Sequence, residues 1–407
     1  PGSALLNRVV ITNAITLRGA FGPPNTVILG APGAGGGNGP GAVRGVFMSA
    51  GTLEGLTISN GHTSGDVYSE DRLGGGVRCM TFCVISNCII SGNRAVEGGG
   101  VHGQGTVIDS LVMANHAELF GGGVVLRANA RLIRCMVIGN TATNGGGAYG
   151  DSSNTTAVDS FITNNHARWR GGGVYSQGML FEHCTLAGNT CDDDGGGFYG
   201  YGGGMNRCIV SGNRASNRGG GAWCYASQIT NCLIIGNTAV QGGGMACDGC
   251  FVVNTTVSSN SAGLQGGGML FVAGSMIFNS ICYDNDSPSG NGNWHSVTST
   301  TPLFIRNSCI TPTNELPGIY LCIADAPLFY QPGADYHLLE GSPCIDSGVY
   351  MPWAMGAVDL DGNPRYMGAG IDMGCYEAVP EPGAVGVLLL CTMYNLRCTI
   401  WRRRGEE

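Results

Sequence analysis

Apolar and small side chains alternate with polar ones over short stretches that return about every 24 residues. Each stretch closes on an asparagine: Asn93, Asn115, Asn140, Asn165, Asn189, Asn213, Asn237 and Asn260, with Asn285 as a ninth. Three residues before it the side chain is aliphatic, as in Ile90, Val112, Val137, Ile162 and Leu186. Five before it the side chain is small: Cys88, Ser110, Cys135, Ser160, Cys184, Cys208, Cys232, Thr255 and Ser280. Six before it is polar or charged, as in Asn87, Asp109, Arg134, Asp159, His183 and Arg207. A period of two predicts a strand, with the small and aliphatic positions on one face and the polar position on the other.

Gly-Gly-Gly punctuates the same repeat. Triplets begin at Gly74, Gly98, Gly121, Gly145, Gly171, Gly195, Gly219, Gly242 and Gly266, at intervals of 23 to 26 residues. The position after each triplet is apolar, from Val77, Val101 and Val124 to Met245 and Met269, and predicts a second short strand facing inward. Nine copies at a near-constant period mark one structural unit repeated along an axis. A unit with two or three short strands and no room for a helix is one coil of a parallel β-helix. Coils stack at roughly 4.8 Å, so equivalent residues form ladders. The asparagines are expected as an internal ladder, each amide bonding the next coil. The glycines suit a bend with positive φ that packs closely on its neighbour. Apolar positions held in register argue against a flexible glycine-rich linker.

The expected fold class is therefore all-β, a single parallel β-helix of about 24 residues per coil. Residues 1–42 read as an N-terminal cap and Gly/Pro loop, and 43–285 as the repeats. Residues 286–378 read as an irregular C-terminal cap region, since an open solenoid end exposes unpaired strand edges. Residues 379–407 form a separate tail.

Composition sharpens this. Of 407 residues, 72 are glycine, yet 43% are hydrophobic, which is enough to fill a long core. Only 12% are charged and the net charge is −8, which argues against a nucleic-acid partner. The 18 cysteines show no metal-finger spacing. Cys88, Cys135, Cys184, Cys208 and Cys232 read as thiols stacked in the core. Cys309, Cys322, Cys344 and Cys375 are the better disulfide candidates if the protein is exported.

Candidate chemistry is sparse. Tyr149, Tyr175, Tyr199 and Trp223 fall on four consecutive coils, two residues past the triplet, and are expected to face outward. Such a row suits stacking on sugar rings or on a partner chain. Four before the asparagine runs a mostly apolar row (Ile89, Leu111, Met136, Phe161, Thr185, Ile209, Leu233, Thr256, Ile281) that is also expected outside, either as an interaction surface or under a covering segment. Asp109, Arg134 and Asp159 read as a surface charge ladder, their two carboxylates about 10 Å apart and slightly beyond the spacing of an inverting pair. Asp192, Asp193 and Asp194 occupy a bend. No aspartate follows the triplets at constant spacing, and Asp359-Leu-Asp-Gly lacks the later ligands of a calcium loop, so no metal or cofactor is expected.

The triplet-and-asparagine repeats resemble the right-handed β-helix of the pectate-lyase-like superfamily and the repeats of polymorphic outer-membrane proteins. Enzymes of that superfamily are mostly polysaccharide lyases and hydrolases, whose carboxylate clusters do not stand out here. Ser342-Pro-Cys-Ile-Asp-Ser-Gly348, Asp359-Leu-Asp-Gly-Asn-Pro-Arg365 and Ile371-Asp-Met-Gly-Cys-Tyr-Glu377 resemble the C-terminal region of choice-of-anchor Q surface proteins. Pro380, Glu381 and Pro382, an apolar span, and Arg402, Arg403 and Arg404 resemble a PEP-CTERM sorting signal, although Asn395 and Arg397 interrupt the span and two acidic residues follow the arginines. The resemblance implies export to the surface or matrix of a Gram-negative-type bacterium, an exosortase partner and transient membrane contact through the tail. The preferred reading is a non-catalytic exported surface protein that adheres or assembles through its faces, with polysaccharide or a second copy as further partners. A polysaccharide lyase or glycoside hydrolase, and a carbohydrate-binding protein without turnover, are the alternatives.

Overall fold

The computed structural model describes residues 5–64, 69–290, 292–297, 303–313 and 319–379. The sorting-tail residues Pro380, Glu381, Pro382 and Arg402 to Arg404 lie outside this set. Among the described residues, three parallel sheets run the length of the solenoid and a fourth accompanies its middle coils. Sheet I has 12 strands, from Leu6–Ile11 to Trp294–Ser296; sheet II has 13, from Thr16–Arg18 to Ile319–Tyr320; sheet III has 12, from Val27–Leu29 to Cys309–Ile310. Sheet IV has 8, from Arg94–Glu97 to Ser261–Gln265. One coil visits them in turn, as in Val124–Leu126, Arg131–Ile133, Met136–Ile138 and Thr141–Asn144. The strands Leu6–Ile11, Thr16–Arg18 and Val27–Leu29 already enter sheets I, II and III, and Trp294–Ser296, Phe304–Arg306, Cys309–Ile310 and Ile319–Tyr320 continue those sheets beyond residue 285.

The repeat positions separate cleanly. The aliphatic row before the asparagine and the row after the triplet are buried in one continuous core. The polar residue six before the asparagine is not a strand position. Asp109, Arg134, Asp159, His183 and Arg207 all have φ near +50° and make the corner between sheets II and III. The single strand expected there is two three-residue strands with a left-handed bend between them.

The asparagines form the predicted ladder. Asn140 Nδ2 donates to Asn165 Oδ1 at 3.0 Å, and the Asn140 backbone N–H donates to the same oxygen at 2.9 Å. Its Nδ2 also reaches Val112 O on the preceding coil at 3.0 Å. The same side-chain bond runs from Asn93 to Asn285 at 2.9–3.0 Å. The triplet packs against this ladder. Gly145 has φ +62°, a Cβ on Gly146 would lie 2.3 Å from His166 O, and one on Gly147 would lie 2.8 Å from Asn165 Nδ2.

The small row is a second ladder. The Cys135 N–H donates to Ser160 Oγ at 3.1 Å, Cys184 N–H to Cys208 Sγ at 3.4 Å and Cys208 N–H to Cys232 Sγ at 3.4 Å. The position therefore needs a small side chain that also accepts a hydrogen bond, which selects Cys, Ser and Thr.

Residues 327–379 fold back along the outer face of sheet III. Phe329, Tyr336, Cys344, Leu360, Met373 and Cys375 bury Leu233, Ile281 and Cys309. Tyr336 Oη donates to Ser259 Oγ at 2.9 Å, and the Cys375 N–H to Thr256 Oγ1 at 3.1 Å. Asn279 pairs with the Val349 backbone in both directions, at 2.8 and 2.9 Å. The described part of this region is thus largely a side plate. Cys309, Cys322, Cys344 and Cys375, the disulfide candidates, hold free thiols. Three of them sit in the apolar layer under the plate. Arg365, fully buried, pairs with Glu377 at 3.2 Å, beside buried Asp359 and Asp372. Burial pushes the Glu377 carboxyl up to about 8; Arg365 opposes this and Asp372 adds to it.

Asn165→Ala should lower the unfolding free energy by about 3 kcal/mol or more in urea titration, because four buried hydrogen bonds lose a partner. Cys208→Ser, which keeps the acceptor, should cost under about 1 kcal/mol. The raised Glu377 makes plate docking strongest below its ordinary 4.5 and weaker as pH rises through about 8. Hydrogen exchange of residues 329–377 should therefore accelerate between pH 5 and pH 9 relative to the core, and Glu377→Gln should flatten that trend.

Candidate functional site

Outward positions of sheet I follow one another from coil to coil in register. Tyr149 pairs with Tyr175, Tyr175 with Tyr199 and Tyr199 with Trp223. They face away from the main core, as the sequence suggests, but they are not exposed. Tyr149 is 6% exposed, Tyr175 5%, Tyr199 2% and Trp223 7%. With Val125, Ala246 and Leu270 they form a separate apolar layer, and Phe120 from sheet IV packs onto it. The outward binding row expected from the sequence is thus a buried aromatic stack. Side chains from the ends of sheet IV strands cover it, Phe120 on Tyr149 and Tyr175 and Arg170 on Tyr199, a covering that the repeat pattern alone does not reveal. Tyr199 and Trp223 stack at 4.5 Å with 7° between planes, and the Arg170 guanidinium lies 5.1 Å from the Tyr199 ring centre. Burial pushes the Tyr149 phenol up to about 12, with Arg127 opposing.

Partly and fully exposed groups sit at the end of the same strands. Arg127, Asp151, Gln177, Tyr201, Tyr225 and Asp248 form a strip, one per coil, with Gln177, Tyr201, Tyr225 and Asp248 directly register-paired. Five steps of roughly 4.8 Å give it a length of about 24 Å. Tyr201 and Tyr225 are 36% and 46% exposed, with ring centres 5.6 Å apart. Tyr199 Oη and Tyr201 Oη share a 3.1 Å hydrogen bond, and Gln177 Nε2 donates to Tyr175 Oη at 3.0 Å. The buried stack therefore orients the exposed strip. No repeat-wide pattern marks Tyr201 or Tyr225, since the strip position changes residue type along the solenoid, from Arg and Asp through Gln to Tyr and back to Asp.

A charged pocket of about 230 Å³ lies at the N-terminal end of this face, lined in part by Glu70, Arg72, Arg78, Glu97, His102 and Arg127. Glu97 and His102 are buried. Glu97 accepts from Arg127 at 2.8 Å and from Arg72 at 3.2 and 3.3 Å, and lies 3.7 Å from His102 Nε2. Arg78 contacts His102 Nδ1 and donates to Glu70 at 3.2 Å; Arg127 also pairs with Asp151. Burial would raise the Glu97 carboxyl, but His102, Arg72 and Arg127 overcome it and hold it at about 2. Burial pushes His102 down to about 4, and Arg78 and Arg127 add to this against the pull of Glu97. The imidazole is therefore neutral at pH 7. A tautomer with Nε2–H toward Glu97 and the Nδ1 lone pair toward Arg78 satisfies both contacts. The sequence reading passed over Glu97 and His102, because the cluster joins single residues from four coils.

The polar corner row behaves as a charge ladder. Arg134 grips Asp109 with two bonds of 2.8 and 2.9 Å, and His183 Nδ1 lies 2.7 Å from Asp159 Oδ1, all four side chains about half exposed. Asp194 is buried and held by Arg218 at 2.9 Å. Asp359 accepts the Asn363 N–H at 2.7 Å and closes a turn, Asp372 accepts the Asp346 N–H at 2.7 Å from another segment of the plate, and Asp361 pairs with His337 at 2.7 Å. Among the described residues no cluster of three or more His, Cys, Asp or Glu is arranged to hold a metal ion.

No protein-family model and no curated protein matches the chain. Among solved structures it is similar to pectate lyase Pel9A, at 13% identity and a TM-score of 0.39, covering 91% of this chain and 87% of that one. It is also similar to the catalytic domain of a GH87 alpha-1,3-glucanase in complex with nigerose, at 13% identity and a TM-score of 0.29, covering 73% of this chain and 64% of that one. These likenesses concern the coil architecture alone.

Tyr199→Ala should cost about 3 kcal/mol of stability in denaturant titration, as a core deletion does. Glu97→Gln should cost about 3 kcal/mol at pH 7 by stranding charges of Arg72 and Arg127. That cost should shrink as pH falls from 4.5 toward 2, where the native carboxylate is itself protonated.

Proposed function

We propose that this is a non-catalytic, exported, surface-associated protein that holds a polysaccharide chain along the outer edge of sheet I. The observation carrying this reading is the strip Arg127–Asp151–Gln177–Tyr201–Tyr225–Asp248, in which two adjacent, partly exposed aromatic rings are flanked on both sides by hydrogen-bonding groups along one line. Rings offer flat faces to sugar C–H surfaces, and the Arg, Asp and Gln side chains match ring hydroxyls. The strip is pre-oriented by the buried stack beneath it, so little ordering cost accompanies binding. Export and sorting through the tail from Pro380 to Arg404, with an exosortase as partner, belong to the same proposal and rest on the sequence resemblance.

Cleavage of the bound chain is the second reading, and the Glu97–His102 pair favours it: a neutral buried imidazole and an ionised carboxylate at one end of the strip. Affinity electrophoresis against a panel of acidic and neutral polysaccharides decides between them. Tyr201→Ala with Tyr225→Ala should weaken binding about tenfold, since an aromatic contact contributes about 0.5–1.5 kcal/mol. Absence of binding across the panel, or retention unchanged by the double substitution, would refute the strip as a binding surface. New chain ends produced by the native protein and lost in His102→Ala would make it an enzyme.

A further inference from the structure

The side plate creates a second site that the strip does not use. Its 3-10 turn Pro352–Ala354 stands opposite the outer face of sheet II and borders an open-sided cavity of about 550 Å³. This lies within the 300–1,000 Å³ range of small-ligand pockets. One wall is polar and comes from three successive coils: Glu182, Asn206 and Thr230, which are register neighbours in sheet II. Their orientation is set by a chain of hydrogen bonds. Thr230 Oγ1 and Asn231 Nδ2 both donate to Asn206 Oδ1 at 2.9 Å, and Asn206 Nδ2 donates to Glu182 Oε2 at 2.8 Å. Trp353, 39% exposed, and Phe251 supply the apolar surface of the same cavity. Arg207 lies 3.7 Å from Glu182, so the wall carries no net charge. Asn231 Oδ1 and Arg207 Nε in the wall are buried with no partner in the protein. An array of fixed donors and acceptors facing an indole, without net charge, suits a ligand that has hydroxyls on its rim and an apolar face.

We propose that this cavity binds a single neutral pyranose residue, free or as the end of a glycan. Trp353 covers the face of the ring, and Glu182, Asn206 and Thr230 take its hydroxyls. A bare anion would meet Glu182, and a wholly apolar ligand would leave the polar wall desolvated. The site is independent of the strip on sheet I.

Saturation-transfer NMR on the full chain tests it, with glucose, galactose, N-acetylglucosamine and glucuronate as separate probes. At least one of the neutral sugars should receive saturation. Its affinity should fall at least tenfold in Trp353→Ala and in Glu182→Gln, the second of which preserves side-chain shape should the first disturb the plate. It should be unchanged in the Tyr201→Ala, Tyr225→Ala protein, which separates this site from the strip. Binding of glucuronate alone, binding of no probe, or full affinity in Glu182→Gln would overturn the proposal.

Discussion

The asparagine amide at the corner between sheets III and IV is the contact on which the solenoid depends. The residue before each asparagine turns the chain with positive φ, even where it is Ala114 or Ser259. The turn residue itself is exposed, as at Gly92, Ala114 and Gly139, but the asparagine after it is buried, and its backbone N–H bonds the next asparagine's side-chain oxygen in place of a sheet partner. An amide carries both a donor and an acceptor, so one side chain can satisfy the preceding coil and the following one together. The third glycine of each triplet lies directly against this amide. The two most visible features of the repeat, the asparagine and the glycines, are thus two sides of one close approach. Because each rung bonds the next, coil spacing is the same along the ladder, and every other row inherits that register.

Stacking also explains the unusual composition. A thiol in the small row accepts a neighbour's backbone N–H much as a serine hydroxyl does, and it adds apolar volume to the core. The cysteines of the small row, Cys88, Cys135, Cys184, Cys208 and Cys232, are thus explained by packing. All twenty basic residues are arginine. Arg44 bonds the carbonyls of Gly74 and Leu73 together with Asn7, and Arg127 bridges Glu97 and Asp151. A guanidinium fork can join groups on adjacent coils in a way that a single ammonium cannot.

The outward rows meet different fates although they obey the same periodicity. In the apolar row of sheet III, Leu233, Thr256 and Ile281 lie under the side plate, while Met136 and Phe161 remain about half exposed. In sheet I the aromatic row is covered by the next layer, and only the strand ends reach solvent. Both candidate binding surfaces therefore arise where regularity breaks. One is the irregular ends of the sheet I strands; the other is the seam between plate and solenoid.

The repeat itself was legible in the chain. Equivalent positions of a solenoid see equivalent surroundings, so their side chains carry the same demand many times over, and the inward rows, the ladder and the all-β parallel architecture could be read from spacing. Only the tertiary structure decided which outward positions are covered. Tyr175 and Tyr201 have the same chemistry and stand on neighbouring coils, yet one is buried and the other exposed, because burial there depends on what sheet IV overlies. The Glu97–His102 pocket and the Trp353 cavity join residues that occur once, from separate coils and from the plate. No period announces them, since they answer to a single three-dimensional neighbourhood rather than to a repeated one.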